Sequence, residues 1–266
     1  PHPHKPAPRR PQPEGTLVHV RGSPSPREGM SSRRRPDSSH SGLVLGVLAC
    51  ALNLSFLLEA LLPGPARVGA TVVSDLSVPG RPWSWLFRVA DAGSALCLLG
   101  LCVLLLRQRH AQRGPARVAW ITACLATVVF ALSTLVAATV TESCAPSIDP
   151  ACPAGLAQAS TADLVHDAVS SVGSTLAVLA ALAFAVLLRR SRWLAAGHGV
   201  AFAAAAASGL VFVAWQVQPQ DDLSGWAQRV QIIALSLWFV VLGTTADRRA
   251  ARATCMPEGR REKMRT

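Results

Sequence analysis

The fold is decided by residues 74–106, SDLSVPGRPWSWLFRVADAGSALCLLGLCVLLL. A turn rich in Pro and Gly passes through Trp83 and Trp85 and runs straight into an unbroken apolar stretch at 85–106, about the 20 residues that cross ~30 Å of hydrocarbon as a helix. Five further blocks of the same kind lie at 43–62, 118–140, 164–188, 194–215 and 227–246. Half of the 266 residues are hydrophobic and only 15% are charged, which excludes an ordinary soluble domain. In a bilayer the backbone must satisfy its polar groups within each segment, so the blocks read as helices. The expected fold class is an all-α polytopic membrane protein: a six-transmembrane-helix bundle over 42–246, between a basic arm at 1–41 and a basic tail at 247–266.

The net charge of +11 follows the same topology. Of the 26 Lys and Arg, 22 lie in the arm, in 107–117, in 189–192 and after Asp247, segments on one side of a six-span path. Positive charge marks the cytoplasmic side, which places both termini in the cytoplasm of a cell-membrane protein. The opposite loops hold Arg67 and Arg81 together with Asp75, Glu142, Asp149, Asp221 and Asp222. No nucleic-acid motif accompanies the basic arm, so no nucleic-acid partner is expected. The arm is rich in Pro, Arg and Ser and lacks an apolar period, so it reads as disordered. It is not read as a secretory signal, because the first apolar block starts some forty residues in and no cleavage pattern follows it.

Polar residues inside apolar helices are costly unless paired, and so each needs an account. Asn53 suits an interhelical hydrogen bond more than a ligand contact. Glu59 lies at the level of the 74–91 lip. Arg88 and Asp91 are spaced i, i+3 on one face, where a mutual ion pair is the plain alternative to a site. Asp163, His166, Ser170, Gly173 and Ser174 recur at i, i+3 or i+4 as a polar stripe, with Asp167 beside it. Gln228 and Arg229 open the last helix. His198, near the other end of the bundle, reads as interfacial. The third helix carries Thr and Ser that can bond their own backbone, and it is assigned a packing role.

Cys144 and Cys152 bracket a Pro-rich loop on the outer side, where a disulfide is favoured over a metal because the pair lacks CxxC spacing and a His partner. Cys50, Cys97, Cys102 and Cys124 sit in apolar helices and read as inert. No metal and no cofactor are assigned.

Several short motifs occur in a fixed order: Ser74-Asp75-Leu76-Ser77 with Pro79 and Pro82, Cys144 with Pro150-Ala151-Cys152-Pro153, His166-Asp167, and Gly225 with Gln228-Arg229 and Trp238. Together they resemble the bacterial DUF998 family of six-helix membrane proteins, more distantly similar to the FRAG/DRAM-like group, over residues 43–246. The resemblance implies the fold and carries no reaction with it.

Three functions compete. The first is an outward pocket for a lipid headgroup or small polar solute, formed by Glu59, Arg88, Asp91, His166, Asp167, Gln228 and Arg229, with the two arginines facing an anion. Membrane lipids are the expected partners, and no oligomeric state follows. The second is an interfacial lipid hydrolase or transferase with His166 as base beside Asp163 or Asp167; the absence of GxSxG and HExxH patterns weighs against it. The third is a proton-coupled transporter, against which stands the lack of an internal repeat. A purely structural or assembly role is the plain alternative.

Overall fold

A computed structural model of the chain describes residues 40–61, 71–145, 149, 151–152, 159–217 and 223–254. The basic arm, the end of the tail and the Asp221-Asp222 turn lie outside the described residues. Among those described there are helices and no strand. Six α-helices follow one another: α1 Ser41–Asn53, α2 Ser84–Arg107, α3 Pro115–Thr139, α4 Thr161–Leu187, α5 Arg192–Val217 and α6 Leu223–Thr254. Each packs on the next in sequence and α6 closes on α1, giving a ring.

Five of these helices, α2 to α6, are long and apolar enough to cross a membrane. The first apolar block departs from the expected single span. It breaks after Asn53 into the 13-residue α1 and a tighter 3₁₀ segment, Ser55–Ala60. At the far end α6 runs on to Thr254, well past the expected end of the block. Asp247, expected to begin a basic tail, instead caps α1: its two carboxylate oxygens accept from the backbone N–H of Gly42 and Leu43, each at 2.9 Å. A carboxylate there satisfies orphan donors and matches the positive end of the helix dipole.

Small residues set the closest approaches. A Cβ on Gly46 would meet the Phe239 carbonyl oxygen and one on Gly42 the Gly243 carbonyl, so α1 and α6 touch backbone to backbone. Gly173 in α4 lies against the Ser133 side chain of α3. Between α2 and α3 the chain reverses at Gly114, whose positive φ of 55° precedes Pro115 at the start of the helix.

The core is aromatic at the end of the bundle where α2 finishes, Trp120 donating to the Leu105 carbonyl at 3.0 Å. Trp120, Phe184, Trp238 and Phe239 are fully buried there. His198, expected to be interfacial, has no exposed surface at all: it stacks on Phe184 with ring centroids 5.3 Å apart. Trp238 donates its indole N–H to His198 Nδ1 at 2.8 Å, which leaves the ring proton on Nε2, where it is donated to Thr245 Oγ1 at 3.1 Å. Thr245 in turn donates to the Val241 carbonyl at 2.8 Å. The apolar core thus absorbs an imidazole because every polar atom on it is paired.

Candidate functional site

The polar residues gather at the opposite end, where α1 and α3 finish and α2, α4 and α6 begin. Their contacts divide them into three groups: structural pairs, a cluster at the mouth, and a cavity.

Arg229 of α6 and Glu59 of the 3₁₀ segment form a buried fork. Arg229 Nε donates to Glu59 Oε1 at 2.9 Å, and Nη2 reaches Oε1 at 2.7 Å and Oε2 at 2.9 Å. Nη1 donates to the carbonyls of Thr71 and Gly225 at 2.5 and 3.1 Å, and Nη2 also reaches Thr71 Oγ1 at 3.3 Å. A guanidinium has five N–H donors and all are engaged by protein. The expected role of Arg229 in facing an anion therefore has no free donor to rest on. Arg88 is likewise turned away from Asp91: its Nε donates to the Ala138 carbonyl at 3.0 Å. Among the described residues the salt bridge between permanently charged groups is Glu59–Arg229; Glu142 and His166 only approach, at 3.7 Å, and Asp91 takes part in neither contact.

At the mouth, Asp163 is an anchor. It completes a capping box with Ser160 at the start of α4, accepting from the Ser160 N–H at 2.8 Å. The same carboxylate accepts from the Ser143 N–H at 2.7 Å and its hydroxyl at 2.9 Å, tying the α3–α4 connection down. The connection carries a disulfide between Cys144 and Cys152, with Cα atoms 5.9 Å apart. Asp149 approaches the two sulfurs, but cysteines joined to each other offer no thiolate for a metal.

His166 is buried and donates through Nδ1 to the Val140 carbonyl at 2.9 Å. Its Nε2 lies 3.7 Å from Glu142 Oε1. The carboxylate facing the imidazole is thus Glu142, which sequence reasoning counted only as an outer-loop charge, rather than Asp163 or Asp167. Asp167 is exposed. Burial pushes the Glu142 carboxyl up to about 8, helped by the negative charges of Asp75 and Asp167 and opposed by the Ser74 hydroxyl. Burial thus favours the protonated form of Glu142, and its contact with His166 at 3.7 Å is too long for a hydrogen bond. The fully buried Asp75, in the 3₁₀ turn Val73–Ser77, completes this cluster. No spacing rule joins residues 75, 142 and 166; only the loops folding over the helix ends do.

Behind the mouth lies a cavity of about 160 Å³. Its polar wall includes Asn53 of α1, Asp91 of α2, Ser133 of α3, Ser170 of α4, and Gln228 and Gln231 of α6. Phe56, Phe87 and Phe130 supply apolar wall. Of the stripe read along α4, His166, Ser170, Gly173 and Ser174 line the cavity, whereas Asp163 does not. Ser133 and Thr134 of α3 also line it, and Thr134, like Thr127, donates to its own helix backbone as expected. Gln228 is held in place: its Oε1 accepts from the Val73 N–H at 2.5 Å.

The class so defined is an all-helical bundle with five helices of transmembrane length and composition and a partly open cavity lined by polar and apolar side chains. The chain belongs to the DUF998 family, described as proteins of unknown function, whose model matches residues 44–245. No curated protein and no solved structure matches it.

Proposed function

We propose that this is an integral protein of the cell membrane that binds a lipid headgroup or small polar solute in the cavity between α1, α2, α3, α4 and α6. The observation that carries the reading is the cavity itself. A dozen polar side chains in an apolar bundle are costly unless they meet each other or a guest, and several of these meet neither a helix neighbour nor a charge partner. Its 160 Å³ compares with the ~150 Å³ of an engineered cavity that takes benzene, so the guest is a headgroup or small solute rather than a whole lipid.

The membrane setting is supported by exposed aliphatic side chains along the helices, among them Val89, Leu96, Val118, Val200 and Leu210, each at least 60% exposed. So large an apolar surface suits lipid contact. On this reading α1 and the 3₁₀ segment together act as the sixth span: 13 and 6 residues at ~1.5 and ~2.0 Å of rise add to roughly 30 Å. The excess of basic residues at the α2–α3 and α4–α5 turns puts those turns and both termini in the cytoplasm and the cavity mouth outside. Alkaline phosphatase fused at Pro79 or Ser143 is then active, and inactive fusions at both sites would reverse the orientation.

The binding reading is tested by native mass spectrometry of gently purified protein. A small molecule or lipid of defined mass stays bound to wild type and is lost in Ser170→Phe, which fills the cavity. Retention by both variants would place the bound molecule elsewhere. A hydrolase using His166 is the weaker second reading, because Nε2 faces Glu142 and no serine hydroxyl bonds the imidazole among the described residues.

A further inference from the structure

Resting on the proposal that the cavity is a binding site, we infer that its guest presents a primary ammonium group, with Asp91 as the counter-ion. Three observations lead there.

The first is the charge balance of the wall. Asp91 and His166 are the ionisable residues that line the cavity. His166 gives Nδ1 to Val140 and turns Nε2 to Glu142. Arg229 is saturated by Glu59, Thr71 and Gly225, and Arg88 directs its Nε to Ala138 and does not line the cavity. Asp91 is left without an ion-pair partner among the described residues. A carboxylate in a membrane helix is stable only when protonated or matched by a cation, and no cation among the described residues pairs with Asp91.

The second is the orientation of the amides. Ser236 donates its hydroxyl to the Ile232 carbonyl at 2.7 Å, so it can only accept from Asn53 Nδ2, at 2.8 Å. That fixes the Asn53 amide and leaves Oδ1 as a spare acceptor. Gln231 directs Nε2 to the Ala205 carbonyl at 3.5 Å, a long contact that still orients the amide and leaves Oε1 spare. Gln228 is fixed the other way, its oxygen taken by Val73. The wall therefore offers Asp91, Asn53 Oδ1 and Gln231 Oε1 as acceptors. A primary ammonium has three N–H donors to match them, whereas an anionic guest would bring a like charge against an ionised Asp91.

The third is size. The cavity of about 160 Å³ admits an ethanolammonium group, and the Phe56, Phe87 and Phe130 wall suits its short carbon chain. The same chemistry is carried by free ethanolamine and by a phosphatidylethanolamine headgroup.

Calorimetric titration of the detergent-solubilised full chain with ethanolamine, tetramethylammonium, glycerol and inorganic phosphate tests the inference. Ethanolamine should bind at least tenfold more tightly than tetramethylammonium, which carries charge without N–H donors, and Asp91→Asn should weaken it at least tenfold. If only nanodiscs of phosphatidylethanolamine, and not free ethanolamine, give an Asp91-dependent bound species by native mass spectrometry, the source is lipid and the inference stands. Preferred binding of glycerol or phosphate, or ethanolamine binding untouched by Asp91→Asn, overturns the ammonium assignment while keeping the cavity as a site. Binding of no probe and retention of no lipid by folded wild type overturns both. Should Asp91→Asn fail to fold, the wild-type ranking of ethanolamine against tetramethylammonium and glycerol decides the matter alone.

Discussion

Arg229 and Glu59, 170 residues apart, share three hydrogen bonds of 2.7 to 2.9 Å in a site that water barely reaches. The fork joins the start of α6 to the 3₁₀ segment that continues α1, and through Thr71 it also holds the chain entering the lip. Its consequence for the cavity is negative: the strongest cation near the mouth is unavailable to a guest.

Removing one partner leaves the other charge buried and unmatched. Glu59→Ala or Arg229→Ala should each destabilise the protein by about 3–5 kcal/mol, and the double variant Glu59→Leu/Arg229→Leu by less than either. Thermal unfolding in detergent, followed by tryptophan fluorescence, checks the order; a double variant worse than both singles would remove the pair from its structural role.

Glu142 makes stability depend on pH. Its carboxyl is raised to about 8 in the fold from an ordinary 4.5, so the native state holds more protons than the unfolded chain between those values. The contribution is fully present below pH 4.5 and is lost as pH rises through about 8. Wild type should therefore lose stability from pH 6 to 9 relative to Glu142→Gln. Parallel pH profiles of the two proteins would contradict this.

Gly46 is the contact point between α1 and α6. A methyl group there would press on the Phe239 carbonyl, which is backbone and cannot turn aside. Gly46→Ala should cost about 1–3 kcal/mol and Gly46→Leu should prevent recovery of folded protein, whereas Gly199→Ala, with open space around it, should be neutral or slightly stabilising. Yield and melting temperature on size-exclusion chromatography read the difference.

The disulfide closes a short loop, with a sequence separation of 8 between Cys144 and Cys152. Loop-closure entropy for that length is worth about 2.5 kcal/mol. Cys144→Ser/Cys152→Ser should lower stability by that order. Its larger effect should fall on the mouth, since Asp163 and Ser143 are bound beside it. Hydrogen exchange should rise around Ser143 and His166 while the His198 core stays protected.

Hydropathy alone makes the helices legible, because a bilayer demands an unbroken apolar run and admits little else. The positions of α2 to α5, the polar stripe on α4 and the need of Asn53 for an interhelical partner all follow from residue type and a 3.6-residue period. Several features do not follow from them. Arg88 and Asp91 share a face by spacing, yet Arg88 reaches α3 instead, since a long side chain takes whichever carbonyl the tertiary packing presents. His198 reads as interfacial until Trp238 and Thr245, about forty residues on, are brought against it. Periodicity also could not show the break in the first apolar block, because its apolar composition continues through the change of helix type.

The sequence by itself determined that this chain makes a bundle of apolar helices with polar residues collected at one end. Only the tertiary structure decided how those residues divide: Glu59 with Arg229, Glu142 with His166, Asp163 with its own helix end, and Asp91 left facing a cavity. The physical reason is that desolvated charges and hydrogen bonds act over a few ångströms. Which groups come that close is set by how six helices and their loops close into a ring, not by their distance along the chain.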